Sequence, residues 1–129
     1  MCNMIHPDAR PIKKKGKGWK IFKLDWNKEL LPSVKQVRYK KNKTGWICWI
    51  DIGSVADVKG FCFFLQKREA ERILKIWSRM FKHSMFKPTF KLCPIEYQDG
   101  LVRQNESEFL SGKTVKIALC RKFRVMKGG

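Results

Sequence analysis

Acidic residues are few in this sequence for its size: eleven Asp and Glu stand against twenty-nine Lys and Arg, a balance of +18. Histidine is scarcer still, with only His6 and His83. An enzyme needs groups that a scaffold can hold and tune. His6 falls in a stretch without hydrophobic period, and His83 just beyond the one helical segment. No GxSxG, P-loop, HExxH or GxGxxG pattern occurs. The sequence therefore nominates no catalytic residue and no cofactor. Cys2 and His6 lie close in sequence, but no CxxC or HxxxH pair completes a tetrahedral site, so no metal is expected.

Long apolar runs are also missing, as is a charged segment leading into an apolar one at the start, so no membrane association and a cytoplasmic location are expected. Cys2, Cys48, Cys62, Cys93 and Cys120 are odd in number and irregularly spaced, and four of them sit in apolar runs. They read as buried thiols in a reducing compartment. For Cys62 and Cys120, neighbouring cations would lower the thiol pKa and burial would raise it. No internal repeat is present.

What the chain does have is aromatic and basic. Nine Phe and five Trp among 129 residues predict a folded core in one domain over 18–129. Residues 1–17, with two prolines and a KKKGKG run, predict a basic, flexible arm. The stretch Gly60–Lys82 reads as a buried strand running into an amphipathic helix. Ala70, Ile73, Leu74, Trp77, Met80 and Phe81 fall in one wedge of that helix. Opposite them, Arg68, Arg72, Lys75, Arg79 and Lys82 form a line of cations about 20 Å long without an acid in it. Gln66 stands where an N-cap would be and is a poor one. Lys67 and Arg68 in the first turn oppose the helix dipole.

Around this unit the period of two predicts strands over 19–26, 34–40, 46–52, 89–97 and 114–126. Lys40 to Gly45 reads as a basic hairpin tip, Pro94 as an edge or bulge, and Asp99-Gly100 as a turn. Gln104 to Gly112, with Glu106 and Glu108, reads as a polar exposed loop. The sum is an α+β fold: a bent antiparallel sheet or small β-barrel of about six strands with one amphipathic helix.

Met1-Cys2, Gly18-Trp19-Lys20-Ile21-Phe22, Gly60-Phe61-Cys62-Phe63-Phe64-Leu65 and the closing ALCRKFRVM strand resemble a pattern in small phage and bacterial proteins. The similarity covers about half the chain and departs at Gln66, where such proteins more often carry a Ser or Thr cap, and in carrying an unusually basic helix. It implies a phage or mobile-element origin and supplies no activity.

A positive excess of this size exceeds what solubility requires, and its self-repulsion opposes folding. It predicts a polyanionic partner: nucleic acid, DNA or RNA, or else an acidic protein surface. The expected function is a non-enzymatic nucleic-acid-binding module. Its phosphate contacts are Arg68, Arg72, Lys75, Arg79 and Lys82, extended by Lys13, Lys14, Lys15, Lys17, Lys40, Lys41, Lys43, Lys122 and Arg124. Trp26, Tyr39, Trp46 or Trp49 would stack unpaired bases if exposed. The alternative is a phage-derived anti-defence protein that inhibits a host nucleoprotein complex. A metal-dependent nuclease is the enzymatic alternative and would draw on Asp51, Asp57, Glu96 and Asp99.

Overall fold

A computed structural model describes residues 5–24, 30–32, 45–48, 60–83, 89–107 and 112–126. Two long strands carry the architecture. β6 (Thr89–Ser107) and β7 (Thr114–Val125) pair antiparallel from Ile95↔Val125 to Ser107↔Thr114, with one register shift between Gly100 and Val102. β2 (Lys15–Leu24) runs along the other edge of β6, from Lys15↔Gln98 to Leu24↔Thr89. β1 (Arg10–Pro11) continues that edge at Arg10↔Arg103. β3 (Leu30–Pro32) extends the sheet beyond β2, while β4 (Ile47–Cys48) and β5 (Phe61–Phe63) share the far edge of β7. Every pairing is antiparallel.

Just past β5 the chain meets β2. The Phe64 N–H donates to the Trp19 carbonyl at 2.8 Å, and the Trp19 N–H donates to the Phe64 carbonyl at 2.7 Å. The sheet is thus curled into a half-barrel whose β5 side touches β2 through one bridge. The one helix among the described residues, α1 (Lys67–Met80), starts three residues later and packs against β2 and β6. The fold is α+β in the broad sense expected, mainly sheet with one helix.

Strand alternation sorts side chains onto two faces. The inner face gathers Phe22, Phe61, Phe63, Ile95, Tyr97 and Phe123 into one buried cluster, with Phe61 and Phe123 edge to face at 4.9 Å. The outer face gathers Ile21, Phe64, Val115 and Ile117 under Ala70, Ile73 and Trp77 of the helix. Trp77 is further packed on Phe90 at 5.4 Å. Lys20 lies on the inner face and is only 7% exposed. Its ammonium donates to the Cys62 carbonyl at 2.7 Å and sits 5.6 Å from the centre of the Phe123 ring, which offsets part of the cost of burying it.

Several sequence expectations change. The arm over 1–17 is laid on the sheet from Ile5 onward, because residues 10–11 and 15–17 hydrogen-bond into the edge of β6 and Gly100 N–H donates to Lys14 O at 3.1 Å. Asp99-Gly100 does not turn the chain. Asp99 takes a positive φ of 51° and the register slips there, so the signal marks a bulge inside one 19-residue strand. Gln104 and Glu106 are therefore buried strand residues and not part of an exposed loop. Pro94 sits inside β6 and not at an edge. Its carbonyl accepts from Met126, where β7 ends, and its neighbour Trp19 spends both backbone groups on Phe64, so the missing N–H interrupts little. Met80 and Phe81, expected in the core wedge, are 51% and 37% exposed. The predicted strand over 34–40 and hairpin tip over 40–44 lie outside the described residues, as does the end of the 46–52 strand. Gly45 has the positive φ, 83°, foreseen for it.

The N-terminal segment is fastened by a polar cluster. The His6 backbone N–H donates to Gln104 Oε1 at 2.9 Å, and His6 Nδ1 donates to the Asn105 carbonyl at 3.1 Å. With Nδ1 committed as a donor, the 3.2 Å approach of Nε2 to Glu106 Oε2 needs one proton between them. Burial pushes the Glu106 carboxyl above the usual range, against the lowering effects of His6 and Gln104, while Asp8 pushes it further up. A carboxyl raised in the fold is stabilising when protonated, and that contribution is lost as pH rises through its folded pKa. Glu106→Gln is therefore expected to melt higher than the parent at pH 7.5, with the gap closing toward pH 4. A gap that is constant across this range would rule out Glu106 as the titrating group.

Curling also depends on Gly18. A Cβ there would stand 2.6 Å from the Phe63 ring and 2.8 Å from the Phe64 carbonyl. Gly18→Ala is expected to cost about 1–3 kcal/mol in urea unfolding, the usual toll of overpacking a full core. An unchanged midpoint would mean that the bridge is not required.

Candidate nucleic-acid interface

The helix that carries the predicted ridge is oriented by its apolar side. Ala70 and Ile73 are fully buried and Trp77 nearly so, which fixes the opposite side outward. Arg68, Arg72, Lys75, Arg79 and Lys82 are all exposed. At about 1.5 Å per residue, Arg68 to Arg79 covers about 16 Å with a cation every 5–6 Å. Arg72 is the one that is engaged: Nη1 lies 3.8 Å from Glu69 Oε2, and Nη2 donates to the Thr114 carbonyl at 3.5 Å. Glu71 is met by Lys67 at 3.9 Å. With both helical acids occupied, the side chains of Arg68, Lys75, Arg79 and Lys82 make no ion pair or hydrogen bond among the described residues. Gln66 makes no capping bond, as expected.

Lys13, Lys14, Lys15 and Lys17 are exposed along the β1–β2 edge. Register places Lys15 and Lys17 on the same sheet face as Trp19, beside Gln98 and Glu96, with Lys122 and Arg124 on the next strand. These last two cations are not equivalent to the helix ridge. Arg124 donates to Glu96 Oε1 through Nη2 at 2.8 Å and Nε at 2.9 Å, and its guanidinium lies 4.9 Å from the Trp46 ring. Lys122 reaches Asp99 at 3.9 Å. A phosphate at either would compete with a carboxylate already in place. Lys40, Lys41 and Lys43 lie outside the described residues, as do Trp26, Tyr39 and Trp49. Half-buried Trp46 is covered on one side by Arg124.

Two of the four acids considered for a nuclease, Glu96 and Asp99, are among the described residues. Glu96 and Asp99 are each turned to a cation, Asp51 and Asp57 lie outside the described residues, and among the described residues no three His, Cys, Asp or Glu side chains cluster as metal ligands. Arg10, Arg103 and Lys116 were missed as a group. They are far apart in sequence and come together only through the register of β1, β6 and β7, which no local pattern encodes.

For Cys120 the contest between burial and nearby charge is decided: burial pushes the thiol up to about 12, and Lys20 only partly opposes it. Burial likewise raises Cys93. Cys48 and Cys62 are half-buried. At pH 8 about one Cys120 in ten thousand is thiolate, so among the described cysteines native alkylation read by mass spectrometry is expected to modify Cys48 and Cys62 before Cys93, and Cys120 last. Early Cys120 labelling would show that the inner cluster opens readily.

Compared with known proteins, the chain matches no protein-family model, no curated protein and no solved structure.

Proposed function

We propose that this protein binds nucleic acid without catalysing a reaction on it, and that the outer side of α1 is its phosphate-contact ridge. One observation carries the reading: Arg68, Lys75, Arg79 and Lys82 stand exposed in a row with no counter-charge among the described residues. Exposed cations of an ordinary helix are interleaved with acids at i, i+3 or i, i+4. Here the two acids available are both turned to Lys67 and Arg72, which leaves the row open to a partner. Lys13, Lys14, Lys15 and Lys17 extend the positive field along the sheet edge. Lys122 and Arg124 contribute less, because each would have to give up a carboxylate. Phosphate contacts of this kind position a partner without reading its sequence. The ridge lacks Asn or Gln for base edges, so weak sequence preference is expected.

Anisotropy titrations with double-stranded DNA, single-stranded DNA and RNA between about 50 and 200 mM salt test the reading, since each phosphate neutralised on duplex DNA contributes about −0.9 to the log–log slope. Replacing Arg68, Lys75 and Arg79 together by Gln is expected to flatten that slope by about 2.7 while leaving the melting temperature within a few degrees. A variant that binds with the parent's slope removes the ridge from the interface. Flat, weak binding of the parent to all three nucleic acids points instead to an acidic protein surface as the partner.

A further inference from the structure

A second basic cluster lies on the other face of the sheet, and its chemistry differs from the ridge. Arg10 and Arg103 are directly opposite one another on β1 and β6. Arg103 is in turn opposite Ala118 on β7, and Asn105 is opposite Lys116. Arg10 and Ile12 share a face by alternation, and Ile12 packs against the inner cluster to which Ala118 also belongs. Arg10, Arg103, Asn105 and Lys116 therefore continue the inner face beyond the point where its apolar filling stops. The helix side of the same strands is occupied by Gln104, Glu106, Val115 and Ile117.

These residues surround an open cleft of about 210 Å³, lined by Asp8, Arg10, Arg103, Gln104, Asn105 and Lys116. Three cations and one carboxylate leave it net positive. The carboxylate is committed, because Asp8 Oδ2 accepts the backbone N–H of Asn105 at 3.4 Å. The side chains of Arg10, Arg103 and Lys116 make no ion pair or hydrogen bond among the described residues. Like charges directly opposite on neighbouring strands destabilise a sheet. Two guanidiniums and an ammonium lining one cleft form the donor set that suits a tetrahedral oxyanion.

We infer that this cleft is a phosphate-binding site, in which Arg10 and Arg103 grip the anion from adjacent strands and Lys116 supplies the third charge. The phosphate belongs either to a small phosphorylated molecule or to the end of a nucleic-acid strand. The site stands on geometry separate from the α1 ridge and does not require the ridge to bind anything.

Thermal melts of the full chain in sodium phosphate and in sodium chloride at equal ionic strength test it. Phosphate is expected to raise the melting temperature beyond chloride, since a ligand held only by the folded state stabilises it. An equal rise in both salts would mean simple screening of Arg10 against Arg103 and would overturn the site. Arg103→Glu replaces the repulsion with a cross-strand ion pair. It is expected to melt no lower than the parent without phosphate and to weaken the phosphate response by about tenfold or more, the usual loss with a charged hydrogen bond. A variant with the parent's full phosphate response would also overturn the site. The Arg68, Lys75 and Arg79 to Gln variant must keep that response, so failure of the ridge and failure of the cleft are read independently. A 5′-phosphorylated oligonucleotide that stabilises the protein more than its 5′-hydroxyl twin identifies a strand end as the ligand. Equal effects of the two, with inorganic phosphate or pyrophosphate still active, identify a small phosphorylated molecule.

Discussion

Two backbone hydrogen bonds between Trp19 and Phe64 hold the arrangement of this molecule together. They join the strand that opens the sheet to the segment that leads into the helix, and so decide where α1 begins and which way it faces. The closeness of that contact is possible because Gly18 has no side chain; the Phe63 ring and the Phe64 carbonyl occupy the space a Cβ would need. Gly60 and Gly100 make similar allowances, for the Cys120 carbonyl at 2.6 Å and the Lys13 carbonyl at 2.2 Å from an added Cβ. Three close backbone approaches, each on a glycine, thus bring β2, β5 and the N-terminal edge into register around β6 and β7. With the curl in place, Phe61 and Phe63 point inward while Cys62 and Phe64 point toward the helix, and both clusters are filled from one short strand.

The charge distribution follows from this geometry. A net charge of +18 imposes self-repulsion on a chain of 129 residues, and the fold lessens it locally where acids are available. Glu96 takes Arg124, Asp99 takes Lys122, Glu71 takes Lys67 and Glu69 takes Arg72. Exposed pairs of this kind contribute little stability each, about 0–1 kcal/mol. Their greater effect is on which cations remain without a counter-charge, among them, in the described residues, the row on α1 on one side and Arg10, Arg103 and Lys116 on the other. The scarcity of acids makes each acid's placement informative about the cations it leaves alone.

Much of the fold was legible because its signals were local. The buried strand Gly60–Leu65, the inward side Ala70, Ile73 and Trp77, the weak cap at Gln66 and the alternation of Thr114–Val125 each follow from spacing within a few residues. The misreadings share a different cause. Asp99-Gly100 carries the composition of a turn, yet a bulge uses the same positive φ without reversing the chain, and only pairing on both sides of β6 separates the two. The polar run Gln104 to Gly112 has the composition of an exposed loop, and what meets Glu106 inside its strand, His6, comes from a hundred residues away. Residues 1–17 carry the prolines and the basic run of a free arm, whereas the backbone of residues 10–11 and 15–17 pairs with the open edge of β6. In the candidate site the helix ridge was visible as a period of 3.6, but the facing of Arg10 on Arg103 depends on inter-strand register and leaves no trace in either segment.

The start of α1 shows how far structural need accounts for a basic residue. Lys67 and Arg68 both oppose the helix dipole, and each costs up to about 1 kcal/mol there. For Lys67 the fold supplies a reason: its ammonium lies 4.9 Å from the centre of the Trp19 ring and 3.9 Å from Glu71. That places it against the same Trp19 whose backbone closes the sheet, so it helps to seat the helix on β2. Arg68 has no such contact among the described residues, although it bears the same unfavourable relation to the dipole. A cation that the helix disfavours and that no neighbour compensates adds to the repulsion of an already basic chain. On the proposed function, a phosphate at the first turn would offset that cost by meeting both the Arg68 guanidinium and the backbone amides that Gln66 leaves uncapped.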